Sequence, residues 1–165
     1  MRHLRLLTSL ALLGMPLARG VGAQATRHLP VGVYVVTLVN EQRLPVSDRL
    51  PTVSGKEQAV RLEEGTLRLG ADGRFVAAVR YHRALVDAGS GMPATPVLDD
   101  AQRGRFVVHG SALTLIPDAP EHGRAPEPFT ATMRGRGRLT LPMVYRDGQY
   151  ARRYLLELRY DPTRW

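Results

Sequence analysis

Three stretches of this 165-residue chain share one grammar: a glycine, then leucines two residues apart. They are GTLRLGADGRF at 65–75, GSALTLIPD at 110–118 and GRGRLTLPMVYRDGQY at 135–150. Side chains of an extended strand alternate sides, so period two places successive leucines on one face. The glycine, or the Asp-Gly pair, supplies the positive φ that tight hairpins need. The copies are irregularly spaced, which excludes a solenoid. They are strand–turn–strand units of a meander.

Read the same way, the whole chain yields about eight strands. They cover 31–40, 59–69, 74–84, 104–109, 112–116, 129–133, 139–145 and 150–160. A bulge is expected near Glu63-Glu64-Gly65, and turns at 71–73, 110–111 and 146–148. RLPVSDRLPTVSGKEQ, at 43–58, reads as a connection with room for a short extended piece. VDAGSGMPATPVLDDAQ at 86–102 and PDAPEHGRAPEP at 117–128 read as loops. No segment carries a convincing helical stripe. YARRYLLELRY at 150–160 contains good helix formers. It also alternates, with Tyr150, Arg152, Tyr154, Leu156, Leu158 and Tyr160 on one face, and it follows a turn. The expected fold is all-β, a single antiparallel meander closing into a small barrel of about eight strands. Closure removes the edges through which open sheets aggregate.

Residues 1–25 read as a secretory signal peptide. Arg2 and Arg5 are followed by an apolar run at 6–17, then by Ala23-Gln24-Ala25, with Val21-Gly22-Ala23 as a competing cleavage site. The run is too short to span a bilayer, which takes about twenty residues. No later segment is long and apolar enough for a transmembrane helix. The expected product is an exported barrel domain at 26–165, periplasmic or secreted. The chain has no cysteine, so neither a disulfide framework nor a lipidated cysteine is available.

Charge adds little specificity. Lys and Arg total 23 against 15 Asp and Glu. Arg2, Arg5 and Arg19 fall in the leader, which leaves 20 against 15 and a net +5. Lys56 is the one lysine, a bias that fits genomic base composition better than phosphate recognition. The arginines are scattered, and RGRGR at 134–138 suits a glycine turn. Nucleic-acid binding calls for basic residues interleaved with aromatics on one face, and none is legible here. Attraction to anionic lipid or polysaccharide is open but unspecific.

With VGVYVVTLVNEQRLP at 31–45, GTLRLGADGRF, GRFVVHGSALTL at 104–115 and the late RLTL in view, the chain resembles the lipocalin-like group of small exported bacterial β-barrel proteins. The resemblance covers most of 26–165. Lipocalin relatives commonly open their first strand with Gly-x-Trp, and here Gly32-Val33-Tyr34 takes that place. They often set a late arginine against that aromatic, and the resemblance makes Arg152, Arg153 and Arg159 the candidates.

Residues for chemistry are thin. His28, His82, His109 and His122 show no metal-ligand spacing, although His82 and His109 sit on strands that could neighbour each other. Glu63-Glu64 and Asp99-Asp100 are adjacent pairs, whose members point to opposite faces of a strand. No Gly-x-Ser-x-Gly elbow, calcium loop or phosphate loop appears. No metal, cofactor or catalytic residue is expected. The aromatics carry the candidate site. Tyr34, Phe75, Tyr81, Phe106, Phe129 and Tyr154 fall on strands and, turned inward, would line a pocket for a small apolar ligand. The competing role is core filling, since an eight-stranded barrel is only just wide enough for side chains. Tyr145, Tyr150 and Tyr160 also lie on strands.

The leading expectation is a non-enzymatic binding module for a small hydrophobic ligand or an envelope component. The alternative is a structural or interaction barrel with a filled core and no ligand. An outer-membrane barrel is a third reading, prompted by the terminal Trp165. Pro162 interrupts the last strand, however, and Arg152, Arg153, Glu157 and Arg159 put charge on both of its faces.

Overall fold

The computed structural model describes residues 31–164 apart from 53, 120–126, 136 and 148–149. The expected leader, His28, His122 and Trp165 lie outside the described residues. The elements in chain order are β1 (Gly32–Val39), β2 (Gln42–Arg43), β3 (Val46–Pro51), β4 (Glu57–Leu69) and β5 (Arg74–Val86). They continue with β6 (Leu98–His109), β7 (Ala112–Pro117), β8 (Phe129–Met133), β9 (Arg138–Asp147) and β10 (Tyr150–Asp161).

The expected fold class is found. No helix occurs among the described residues. From β4 to β10 each strand pairs antiparallel with the next, β10 pairs with β1, and β1 returns to β4. This circuit is an eight-stranded barrel of lipocalin-like size, with β2 and β3 as extra strands. The opening grammar of the sequence is the β4–β5 hairpin. Leu69 faces Phe75 and Leu67 faces Ala77 across it. Gly73 takes φ +76°, and Asp72 Oδ1 accepts the Arg74 N–H at 3.0 Å. The expected bulge appears as a register shift between Leu62 and Glu64.

Two elements differ from the sequence reading, the first half of β6 and β2. Leu98–Gln102, inside a presumed loop, is the first half of β6 and pairs with β5 from Tyr81 to Ala77. Its cohesion is partly electrostatic: Arg80 Nε donates to Asp99 Oδ1 at 3.0 Å across the directly opposed pair. The short extended piece expected in the 43–58 connection is β3, which runs antiparallel to β4 from Val46↔Leu62 to Pro51↔Glu57. β2 folds back on β1 through Asn40 and Glu41, both at positive φ.

The core follows from alternation. Tyr34, Leu67, Leu69, Phe75, Leu113, Leu115 and Leu139 are fully buried, and all lie on inward-facing rows. Burying such a side chain contributes about 1.5–3 kcal/mol. The rings of Tyr34 and Tyr160 stand 5.4 Å apart, and Phe75 meets Phe129 edge-on at 6.2 Å, within the favoured range for aromatic pairs. Gly104 makes room for this packing. A Cβ there would lie 2.6 Å from Phe75 Cε1 and would run into the Ile116 carbonyl.

Candidate binding site at the open end of the barrel

Connectivity gives the barrel two unlike ends. The tight hairpins β4–β5, β6–β7 and β8–β9 all close one end. The longer connections, 87–97 and 118–128, leave from the other, where the β2–β3 excursion also lies. Binding residues concentrate at such loop ends because a rigid wall positions them.

The inward rows change character between the two ends. On β5, Phe75 is 1% exposed, Ala77 is half-buried and Val79 is 36% exposed. Val79 remains on the inner face: its Cγ1 approaches the inward side of Gly65, where core-packed Val36 also sits. On β9, Leu139 and Leu141 are buried and Met143 is 43% exposed. On β10, Leu158 and Leu156 are buried, Tyr154 is half-buried and Arg152 is exposed. All three rows run from the hairpin end to the loop end. The interior is filled at the former and reachable by solvent at the latter.

A polar clamp borders this opening. β1 pairs with β4 only over Gly32–Val35 against Leu69–Thr66. Beyond that level the β4 edge is taken by β3, which places Asp48 across from β10. Tyr154 Oη donates to Asp48 Oδ2 at 2.7 Å, and Arg152 Nη2 donates to Asp48 Oδ1 at 3.2 Å. The Arg49 backbone N–H adds a third bond to Asp48 Oδ1 at 2.8 Å. The carboxylate thus ties the extra strand to the barrel beside the mouth. Sequence alternation did not single out Asp48, which sits in a Pro- and Ser-rich stretch. Its one signal is the period-two pattern Val46, Asp48, Leu50.

The six candidate aromatics divide accordingly. Tyr34 and Phe75 are fully buried in the closed end. Phe106 and Phe129 are partly buried and pack against the core. Tyr154 packs against the core while its hydroxyl reaches the clamp. Tyr81 is half-buried on the same row as Val79, at the open end. The side chains of Tyr145 and Tyr150 lie outside the described set. Burial pushes the Tyr34 phenol well above the ordinary tyrosine range, and neighbouring Tyr160 adds to the shift. Of the arginines expected near Tyr34, Arg153 and Arg159 lie on the outer face and Arg152 is held at the clamp; Tyr160 is the ring stacked beside Tyr34.

Of the remaining polar candidates, Glu63, Glu64, Asp99 and His82 are engaged on the outer wall, whereas Asp100 stands opposite Val79 on the inward row of β6 and is exposed at the open end. Glu64 meets Arg164 at 2.6 Å and Arg80 at 3.6 Å, and Asp99 meets Arg80. Glu63 meets Arg61 at 2.9 Å and His82 Nε2 at 3.6 Å, while His82 Nδ1 contacts the Thr95 carbonyl. His82 lies beyond the Tyr81↔Leu98 end of the β5–β6 ladder and His109 beyond its Arg74↔Arg105 end, so the two histidines do not meet. Among the described residues no group of three or more His, Cys, Asp or Glu could hold a metal.

Fold and site together define a small antiparallel β-barrel with one packed end and one open, clamp-bordered end. Compared with known proteins, the chain finds no matching family model, no similar curated protein and no similar solved structure.

Proposed function

We propose that the protein is an exported, non-enzymatic, lipocalin-like barrel that holds a small hydrophobic molecule at its open end. The observation that carries this reading is the solvent exposure of inward-facing apolar side chains, Val79 and Met143, directly above a fully packed floor. Small-ligand sites are concave, mostly apolar and marked by a few placed polar groups. Tyr81, the lower face of Tyr154 and the Asp48–Arg152 clamp supply those features here. An external location fits the leader-like residues 1–25. The outer wall carries Arg68, Arg103, Arg105 and Arg159 on exposed faces of different strands, unlike the apolar band of a bilayer-embedded barrel. No helix among the described residues is long and apolar enough to cross a membrane.

The test is a fluorescence titration with an environment-sensitive apolar dye. Saturable one-to-one binding is expected, weakened at least ten-fold by Val79→Glu and by Met143→Glu in protein that melts normally. Absence of saturable binding, or binding indifferent to both substitutions, favours the alternative of a structural barrel without a ligand.

A further inference from the structure

Two of the arginine-rich patches on the outer wall are built differently. In one, Arg80 and Arg164 interlock with Glu64 and Asp99, and every charge has a partner. In the other, on β9–β10, the β8–β9 turn and the adjoining β1–β2 hairpin, Arg43, Arg134, Arg138 and Arg159 form no ion pair with any described residue, and all four are exposed. Arg138 and Arg159 are directly opposed across the β9–β10 ladder. Like charges in that position are destabilising, because cross-strand Cβ atoms stand only about 4.5–5.5 Å apart. These arginines line an open groove of about 1010 Å³, whose lining includes one acid, Glu157.

Farther along the strands the same face carries Glu157 opposite Thr140, then an apolar step of Leu155 opposite Pro142, then Val144 opposite Arg153. Leu155, opposite Pro142, is 42% exposed, and Val144 is 49% exposed on the same outward row of β9 as Arg138. At strand rise this apolar stretch begins roughly 13 Å and ends roughly 20 Å from Arg138. A paired cationic focus with a short apolar patch beyond Glu157 and Thr140, itself bordered by Arg153, matches a molecule that has an anionic head and a hydrocarbon chain.

We propose that this outer face binds an anionic phospholipid, with its headgroup phosphate on Arg138 and Arg159, flanked by Arg43 and Arg134, and its chain along Leu155, Pro142 and Val144. The phosphate relieves the opposed positive charges, and guanidinium groups suit it because they bond phosphate oxygens in a bidentate fork. The site lies outside the barrel and does not rest on the open-end ligand.

Vesicle co-sedimentation of the full chain tests the proposal, with vesicles of phosphatidylglycerol in phosphatidylcholine and of phosphatidylcholine alone. The protein is expected on the anionic vesicles and not on the neutral ones. Arg138→Gln/Arg159→Gln should weaken binding at least ten-fold while melting at the wild-type temperature or higher, since it removes a repulsion. Leu155→Asn should weaken binding several-fold, and Arg80→Gln, from the neutralised patch, should bind as wild type. Equal losses from Arg80→Gln and the double variant would reduce the effect to net charge and overturn the proposal. Full binding by Leu155→Asn, with complete release by inorganic pyrophosphate, would assign the arginines to a soluble anion and overturn it as well. So would failure to bind either vesicle. If the double variant fails to fold, dihexanoyl phosphatidic acid added to wild type takes its place: a raised melting temperature supports the site and an unchanged one refutes it.

Discussion

The hairpin end and the loop end of this barrel are made from the same strands, with the same alternation, yet one is a solid and the other a cup. At the hairpin end the inward positions hold Tyr34, Leu69, Phe75, Leu115 and Leu139, all essentially without solvent contact. Two to four residues farther along, the inward positions hold Ala77, Val79 and Met143, and the wall itself changes membership as β3 replaces β1 beside β4. The contrast comes from side-chain volume and from the departure of β1, because the backbone pattern is continuous through both regions. At the closed end Tyr34 and Phe75 fill the interior, whereas at the open end the smaller Ala77 and Val79 share the inward rows with Tyr81 and Tyr154. The main core cluster is therefore concentrated at the hairpin end, while Leu50, Ala59 and Val86 are buried where β3, β4 and β5 meet at the other.

The largest test of that division is a pair of truncations in the closed end. Phe75→Ala should cost about 3–5 kcal/mol and Leu69→Ala about 2–5 kcal/mol, because each leaves a cavity as well as losing burial. Arg68→Ala, on the outer face between buried neighbours, should cost under about 0.5 kcal/mol. Urea melts of the three variants check this, and equal small effects would show that the hairpin end is not the stabilising one.

Next in size is Gly104→Val. The added side chain would press on Phe75 and the Ile116 carbonyl, an overpacking expected to cost about 1–3 kcal/mol. Gly104→Val together with Phe75→Leu should recover part of the loss if the ring is what it strikes; a double variant no better than the single would place the fault in the backbone.

The buried tyrosine gives a pH signature. Because the Tyr34 phenol titrates higher folded than unfolded, the folded state favours its neutral form. That stabilisation is complete below the unfolded tyrosine value of about 10 and is lost as pH rises past it, since only the unfolded chain then gains by ionising. Melting temperature should decline above pH 10 more steeply in wild type than in Tyr34→Phe. Parallel declines would mean that Tyr34 does not govern the alkaline limb.

The smallest expected effect is at the open end. Val79→Ser and Met143→Gln should each change stability by no more than about 0.5 kcal/mol, the range of surface substitutions. A loss comparable to Leu69→Ala, read in the same melts, would erase the distinction between the two ends.

Much of the wall was legible in the sequence, because strand alternation is local: GTLRLGADGRF specifies its own inward leucines, its turn and its returning Phe75 without reference to the rest of the chain. Where a strand did not need apolar alternation, the reading stopped short. LDDAQ faces water on one side and an open interior on the other, and it is held to β5 partly by Arg80 on Asp99, so its polar composition resembled a loop. The Asn40-Glu41 turn was missed because it reaches positive φ without glycine.

The sequence by itself determined the class of fold, the hairpins and the faces of the strands, since these depend on side-chain period and turn chemistry within a few residues. Only the tertiary structure decided which end is filled, that Asp48 would meet Tyr154 across more than a hundred residues, and that Arg138 and Arg159 would stand opposed without an acid between them. Those outcomes depend on register and closure, which bring distant positions together by summing many weak pairings around the barrel, and no local pattern encodes that sum.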